Sequence, residues 1–177
     1  EAQHRVLAVD AEGRVLHTLP VPGPAEQAMQ LRGANAGIEA LAWHPALGLI
    51  AAPQRPVKGA DATLHRLHAA GGQHWGFRAA GPKSSLKALE ALDGSTLLAL
   101  ERVGAGRSQQ AVLRPLMLEG CGGERLCDAP ALVLSHPALQ GRDNFEGLAC
   151  VGDGLCLVVS DDGGTGRTRL LLVRLQR

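Results

Sequence analysis

Short apolar runs separated by clusters of glycine, proline, aspartate and asparagine make up most of the chain. Runs of about four to eight apolar residues bounded by such turn-forming residues predict β-strands. Clear examples are Arg5–Val9, Thr96–Leu100, Leu155–Val159 and Arg169–Val173. Two segments, Ala25–Leu31 and Ser84–Leu92, are the best helical candidates, but each is too short to define a helical domain. The pattern therefore predicts an all-β protein.

An internal repeat organises these strands. Each copy has an apolar strand, a turn of proline or Asp-Gly type, and a second apolar strand. The copies run from residues 37 to 52, 85 to 100 and 144 to 159. Glu39, Lys87 and Glu146 occupy the same place in each first strand, 48 and 59 residues apart. Two more strand-like runs follow each of the first two copies, so the spacing predicts a β-propeller of four-stranded antiparallel blades.

The number of strands falls short of a closed propeller. Blade-like units are expected at residues 37–80, 85–134 and 144–177, and residues 4–20 complete another blade. This gives about three and a quarter blades in one domain over residues 1–177, whereas propellers close with about four to eight. We expect the C-terminal part of a larger propeller, or a half that self-associates through its open sheet edges. A β-prism or an irregular sandwich is the alternative.

Charge and aromatic content exclude one class of partner. Eighteen Lys and Arg oppose 17 Asp and Glu, the formal net charge is +1, and aromatic residues make up 2% of the chain. Nucleic-acid-binding proteins need a basic surface and commonly stack bases on aromatic rings, so we expect no nucleic acid partner. The chain also lacks an apolar run of the roughly 18 to 20 residues that span a membrane, so we expect no membrane span.

Four cysteines form two closely spaced pairs. Cys121 and Cys127 are six residues apart, as are Cys150 and Cys156. An even count in close pairs fits two local disulfides in an exported protein, and neither pair has the spacing of a zinc site. We predict two disulfides and a periplasmic or secreted location. The alternative is four buried thiols.

Segments of the last repeat resemble a known family. They are DNFEGLA at residues 143–149, LVVSDD at 157–162 and RLLLVRL at 169–175. Together they are similar to the closing blade of the phytase-like β-propeller family, known as "esterase-like activity of phytase". GIEALA at residues 37–42 and LLALER at 97–102 are similar to that family's GFEGLA and LLVLER motifs. The resemblance implies a propeller that hydrolyses phosphate esters through bound Ca²⁺.

Three departures from the family's pattern affect the expected site. Ala40 replaces the glycine of the first motif, and the strand end SDDGG at residues 160–164 has no Asn after its two Asp. The segment APQRP at residues 52–56, which contains Gln54, stands where the family usually has an acidic residue. One expected carboxylate is therefore missing.

Equivalent first-strand positions line the channel of a propeller, which predicts where the metal ligands lie. Glu39 and Glu146 are expected to face the same region, joined by Lys87 from the intervening blade. Because carboxylate oxygens suit Ca²⁺, Glu39 and Glu146 are the leading ligand candidates, followed by Asp161 or Asp162. A cation held there would bind a phosphate ester or polarise a water. The alternative is structural, with ion pairs for the two glutamates and turn amides for the aspartates.

Four other polar residues lie in predicted strands or at their ends. Glu101 and Arg102 end the corresponding strand of the preceding unit and are channel-lining candidates; their alternative is a surface ion pair. His65 and His68 are three apart in a strand-like run, which places them on opposite faces and argues against a shared metal. The nucleophile elbow GxSxG of α/β-hydrolases does not occur.

Two function classes follow. The first is an exported calcium-dependent phosphoesterase. The second is a non-catalytic propeller that binds a small phosphorylated ligand or a protein partner on its channel face. The missing acid at Gln54 slightly favours the second class.

Overall fold

A computed structural model describes residues 5–22, 37–56, 61–135, 144–161 and 168–175. Within these ranges the chain forms strands and one short 3₁₀ helix, Gly106–Ser108. The strands are β1 (Val6–Val9), β2 (Val15–Leu19), β3 (Ile38–His44), β4 (Gly48–Pro53), β5 (Leu64–Ala69), β6 (His74–Arg78), β7 (Ser85–Ala91), β8 (Thr96–Val103), β9 (Gln110–Met117), β10 (Leu132–Val133), β11 (Phe145–Cys150), β12 (Leu155–Ser160) and β13 (Leu170–Arg174). The all-β prediction is confirmed. The helical candidate Ser84–Leu92 is strand β7, as the repeat predicts, and Ala25–Leu31 lies outside the described residues.

The strands form four antiparallel sheets, none of which closes on itself within the described ranges. In chain order, the first sheet contains β1 and β2, the second β3 to β6, the third β7 to β10 and the fourth β11 to β13. Each sheet thus holds the strands that the repeat groups together. The arrangement is consistent with the blades of an incomplete propeller. Association with a second copy stays a prediction.

The third sheet lies between the second and the fourth. Its first strand, β7, packs against β3 and against β11. Leu97 and Ala99 of β8 belong to the core shared with the second sheet, whereas Leu98 and Leu100 belong to the core shared with the fourth. Alternate residues of a strand point to opposite faces. Because β8 is covered on both faces, its residues 97–100 are all apolar.

A β-bulge occurs at the same place in the first strand of each of these three sheets. The register shifts between Ile38 and Ala40, between Leu86 and Ala88, and between Phe145 and Gly147. The extra residues are Glu39, Lys87 and Glu146. A bulge leaves one residue out of the ladder and changes the direction of its side chain. The three charged positions aligned in the sequence are therefore also equivalent in backbone geometry.

Both predicted disulfides are present. Cys121 is bonded to Cys127, and Cys150 to Cys156. The second disulfide joins directly paired residues of β11 and β12. The first closes the loop after β9, where the Cys127 N–H donates to the carbonyl of Gly76 at 2.8 Å. Two disulfides are compatible with an extracellular or periplasmic protein.

No helix in the described ranges has the length and apolar character needed to cross a membrane.

Candidate functional site

Glu39, Lys87 and Glu146 meet at one point, and we call them the central triad. The Lys87 Nζ lies 2.5 Å from Glu39 Oε2 and 2.8 Å from Glu146 Oε1. The lysine side chain is 4% exposed, whereas the glutamates are 32% and 33% exposed. A buried ammonium therefore bridges two partly solvated carboxylates contributed by the neighbouring sheets.

Two side-chain amides extend the central triad on either side. Gln54 Nε2 donates to Glu39 Oε2 at 2.7 Å, and Asn144 Nδ2 donates to Glu146 Oε1 at 2.7 Å. Arg102 in turn donates to Asn144 Oδ1. Gln54 lies in the segment 52–56, where the family usually has an acid. Its amide supplies Glu39 with a hydrogen bond, whereas an ionised acid at this place would repel that carboxylate.

The arrangement of the central triad does not fit a Ca²⁺ ion held jointly by Glu39 and Glu146. The ammonium of Lys87 takes the position between the two carboxylates that such an ion requires. In the described part of the chain, no cluster of three or more His, Cys, Asp or Glu side chains could hold a metal. Asp161 is exposed, and its N–H donates to the Asn144 carbonyl at 2.8 Å. Asp162 lies outside the described residues.

Glu101, predicted as a channel-lining candidate, belongs to a different network. The alternative of a surface ion pair is wrong because its side chain is fully buried. Arg114 Nη1 contacts its Oε2 at 2.8 Å, and the Ala80 N–H donates to its Oε1 at 2.8 Å. The Ser84 hydroxyl also donates to Oε1, and His65 Nε2 lies 3.3 Å from it. Burial raises the pKa of the Glu101 carboxyl, but the hydrogen bonds from His65, Ser84 and Ala80 together bring it below its usual range. Glu101 is therefore a buried anion.

Arg114 anchors this anion from β9. Its Nε donates to the Ala129 carbonyl at 2.7 Å and its Nη2 to the Arg78 carbonyl at 3.0 Å. Its guanidinium carbon lies 5.3 Å from the centre of the Phe77 ring. With Nη1 on Glu101, all three guanidinium nitrogens are hydrogen-bonded. Arg114 was not among the residues predicted from the sequence, although a charged residue in the middle of an apolar strand run is a signal for a buried pair.

His65 and His68 lie on opposite faces of β5, as predicted from their spacing. His65 is buried and its Nε2 lies 2.7 Å from Ser84 Oγ. His68 is partly buried. Burial, and then the neighbouring His74 and Arg66, lower the pKa of His68 to about 4. His68 is therefore neutral at physiological pH and takes no part in the Glu101 network.

A cleft of about 490 Å³ opens beside Ser84. Three of the described residues that line it are cationic, namely Arg55, Lys83 and Arg102, and none of those lining residues is acidic. Its volume lies in the range of small-molecule pockets, roughly 300 to 1,000 Å³. Arg102 also connects the cleft to the central triad through Asn144. We call this feature the basic cleft; its charge suits a small anion.

The backbone beside the basic cleft is strained at one residue. Lys83 has a φ of 57°, in the left-handed region that residues with a side chain rarely adopt. Such conformations cost about 1 to 3 kcal/mol and cluster at functional sites. The basic cleft was not predictable from the sequence, because its cations come from three separate segments that only the fold brings together.

A comparison of sequences places these features in a family. The sequence model of the phytase-like family, described as "esterase-like activity of phytase", matches residues 1–164. The chain belongs to the phytase-like family. No curated protein and no solved structure matches it. The match to the phytase-like family covers the central triad, the Glu101 network and all described residues that line the basic cleft.

Proposed function

We propose that this phytase-like chain binds small phosphate esters in the basic cleft and is part of an exported phytase-like hydrolase. The observation that carries the proposal is the charge of the cleft. Arg55, Lys83 and Arg102 line one small-molecule-sized space, and no acidic side chain stands among its described lining residues. A dianionic phosphate group is the ligand that such a lining would attract most strongly.

The types of cation in the cleft also favour phosphate. Arginine presents a planar set of donors that pairs with two phosphate oxygens, and lysine adds a compact charge. Arg102 is held by its bond to Asn144, so one donor group is fixed before a ligand arrives. Fixed donors lose less conformational entropy on binding. Gln109 adds an uncharged polar side chain to the same lining.

Export is supported by the two disulfides, which are typical of oxidising compartments. The family resemblance also implies calcium, but the proposal assigns no step to Ca²⁺. Glu39 and Glu146 share the ammonium of Lys87, so a lysine of the chain, in place of a metal ion, neutralises these two carboxylates.

A non-catalytic ligand-binding role is the second candidate. The pairing of Glu39 and Glu146 with Lys87 favours this role, because both of the leading metal-ligand candidates already have the Lys87 ammonium as their counter-ion. Hydrolysis of a bound ester separates the two candidates.

Calorimetric titration with inorganic phosphate and with p-nitrophenyl phosphate tests the proposal. Hydrogen bonds to charged groups contribute about 1.5 to 3 kcal/mol each. Arg55→Gln and Arg102→Gln are therefore each expected to weaken phosphate binding by about tenfold or more. Arg125→Gln is the matched control, since Arg125 is exposed and does not line the cleft. Wild-type protein that fails to bind phosphate, or equal affinity in all three variants, would contradict the proposal.

The same samples distinguish the two candidates. Release of p-nitrophenol above the rate in buffer would support the hydrolase, and binding without release would support the non-catalytic role. Parallel assays with added Ca²⁺ and with a chelator measure whether either property depends on the metal.

A further inference from the structure

Ser84 combines burial with access to the basic cleft. Its residue surface is 7% exposed, and it is one of the described residues that line the cleft. The hydroxyl donates to Glu101 Oε1, and its Oγ lies 2.7 Å from His65 Nε2. A serine hydroxyl that only packed in the core would need one partner. This one contacts both a carboxylate and an imidazole, and its residue also lines the basic cleft.

The proton positions follow from the hydrogen-bond partners. His65 Nδ1 is buried and has no hydrogen-bond partner. A buried N–H without an acceptor is rarer and costlier than an acceptor without a donor, so we assign the imidazole proton to Nε2. His65 then donates to Ser84 Oγ. Because a hydroxyl has one proton and two lone pairs, one lone pair of Ser84 is left for a ligand.

Glu101 is positioned to accept the proton of Ser84. It is fully buried, and Arg114 and the Ala80 N–H hold its two oxygens in place. Lys83, with its left-handed backbone, immediately precedes the serine and lines the cleft. One hydroxyl is therefore bonded to a fixed carboxylate and belongs to a residue that lines the cationic cleft.

We propose that Ser84 is a nucleophile that accepts the phosphoryl group of a phosphate monoester bound in the basic cleft. This inference rests on the proposed function of the cleft. Glu101 acts as the proton acceptor, and His65 is a positioning residue that orients Oγ. Arg55, Lys83 and Arg102 balance the charge on the phosphoryl oxygens as the bonds change.

The reaction balances in two steps. First, Ser84 Oγ forms a bond to phosphorus while the bond from phosphorus to the ester oxygen breaks. The hydroxyl proton passes to Glu101, and the departing oxygen on the far side of phosphorus takes a proton from solvent, so an alcohol leaves and phosphoserine remains. In the second step a water attacks phosphorus from the solvent side and releases one proton to solvent, the bond from phosphorus to Ser84 Oγ breaks, and Oγ takes back the proton held by Glu101. Hydrogen phosphate leaves, and the serine and the carboxylate are regenerated.

Covalent labelling of the folded protein tests the inference. Diisopropyl fluorophosphate would phosphorylate Ser84: Oγ forms the bond to phosphorus, fluoride ion leaves, and the serine proton passes to Glu101 and then to solvent. Peptide mass spectrometry is expected to find the adduct on Ser84, and inorganic phosphate is expected to slow its formation. Ser85→Ala is the matched control, because Ser85 is the adjacent buried serine and its hydroxyl has no partner. The label should persist in Ser85→Ala and disappear in Ser84→Ala.

Glu101→Gln is expected to slow labelling by about 100-fold, the ordinary effect of losing a general base. If that variant fails to fold, the Ser84→Ala and Ser85→Ala pair still decides the question. An adduct on another serine, or no adduct on the wild-type protein, would overturn the inference.

Phosphate binding separates this inference from the proposed function. Wild-type protein that binds phosphate but is not labelled would refute the nucleophile and leave the cleft proposal standing. A protein that does not bind phosphate at all would refute the cleft proposal itself. Ser84→Ala that binds phosphate like the wild type but takes no label would support both.

Discussion

The Lys87→Met substitution tests whether the central triad is held together by its own ammonium. Methionine keeps much of the length of the lysine side chain and removes its charge. Glu39 and Glu146 would then face each other without a counter-ion. We expect the variant to be less stable than the wild type and to gain a response to Ca²⁺ that the wild type lacks.

The size of the effect follows from the geometry. Both carboxylate oxygens contact the same nitrogen, at 2.5 and 2.8 Å, so they lie no more than about 5 Å apart. Two unit charges at that distance repel by about 3 kcal/mol at an effective dielectric constant of about 20. Both glutamates are about one-third exposed, so water screens part of this repulsion and we expect a loss of roughly 2 kcal/mol. For a chain of this size that lowers the melting temperature by about 4 to 8 °C.

Thermal melting in the presence of Ca²⁺ or a chelator is the assay. In Lys87→Met the two carboxylates are free to share a Ca²⁺ ion, so added Ca²⁺ should restore part of the lost stability. Lys83→Met is the matched control, because it removes the same charge from an exposed position.

Two results would refute this reasoning. One is a Lys87→Met variant that melts at or above the wild-type temperature, as happens when removing a buried charge outweighs the lost attraction. The other is a wild-type melting temperature that rises with Ca²⁺ and loses this rise in Glu146→Gln.

Three further predictions concern other parts of the molecule. His68 has a pKa of about 4 in the folded protein and an ordinary value of 6.5, so the unfolded chain binds the proton first as the pH falls. The free energy of unfolding, measured by denaturant titration, should therefore fall between pH 6.5 and pH 4, and His68→Gln should reduce this pH dependence. A Cβ at Gly147 would lie 2.4 Å from Val159 Cγ1, so Gly147→Ala should cost about 1 to 3 kcal/mol, and adding Val159→Ala should restore most of it if the clash is the cause. Replacing Cys150 and Cys156 by alanine should cost about 2 kcal/mol in chemical unfolding, and an unchanged midpoint would show that this disulfide adds no stability.

The parts of the structure that were predictable from the sequence are those governed by local period and by repetition. The strand order, the sheet grouping and both disulfides follow from apolar runs, turn residues and cysteine spacing. The equivalence of Glu39, Lys87 and Glu146 follows from their alignment in the repeat. The sequence did not reveal that the Lys87 ammonium lies between the two carboxylates, where a Ca²⁺ ion was expected. Alignment shows that the three positions are equivalent, but it gives no distances between their side chains.

The Glu101 network shows why the remaining site residues were not predictable. His65 comes from β5, Ser84 from the residue before β7, and Arg114 from β9. No spacing rule connects them, since their approach depends on how the second and third sheets pack. The sequence makes Glu101 a channel-lining candidate at the end of an apolar run, with a surface ion pair as the alternative. In the structure β8 continues through Val103, and the carboxylate is fully buried.

The repeated bulge also has a consequence for how such a protein can change during evolution. Each of the three strands offers one position that is released from the ladder and aimed at the same point, while the hydrogen bonds on either side are kept. The identity of each of these residues can therefore vary with little cost to the sheet that carries it. A base at one of these positions places an ammonium between the two acids, as Lys87 does here, whereas an acid there would add a third negative charge. Single substitutions at such positions let one scaffold gain or lose a bound cation while its core stays the same.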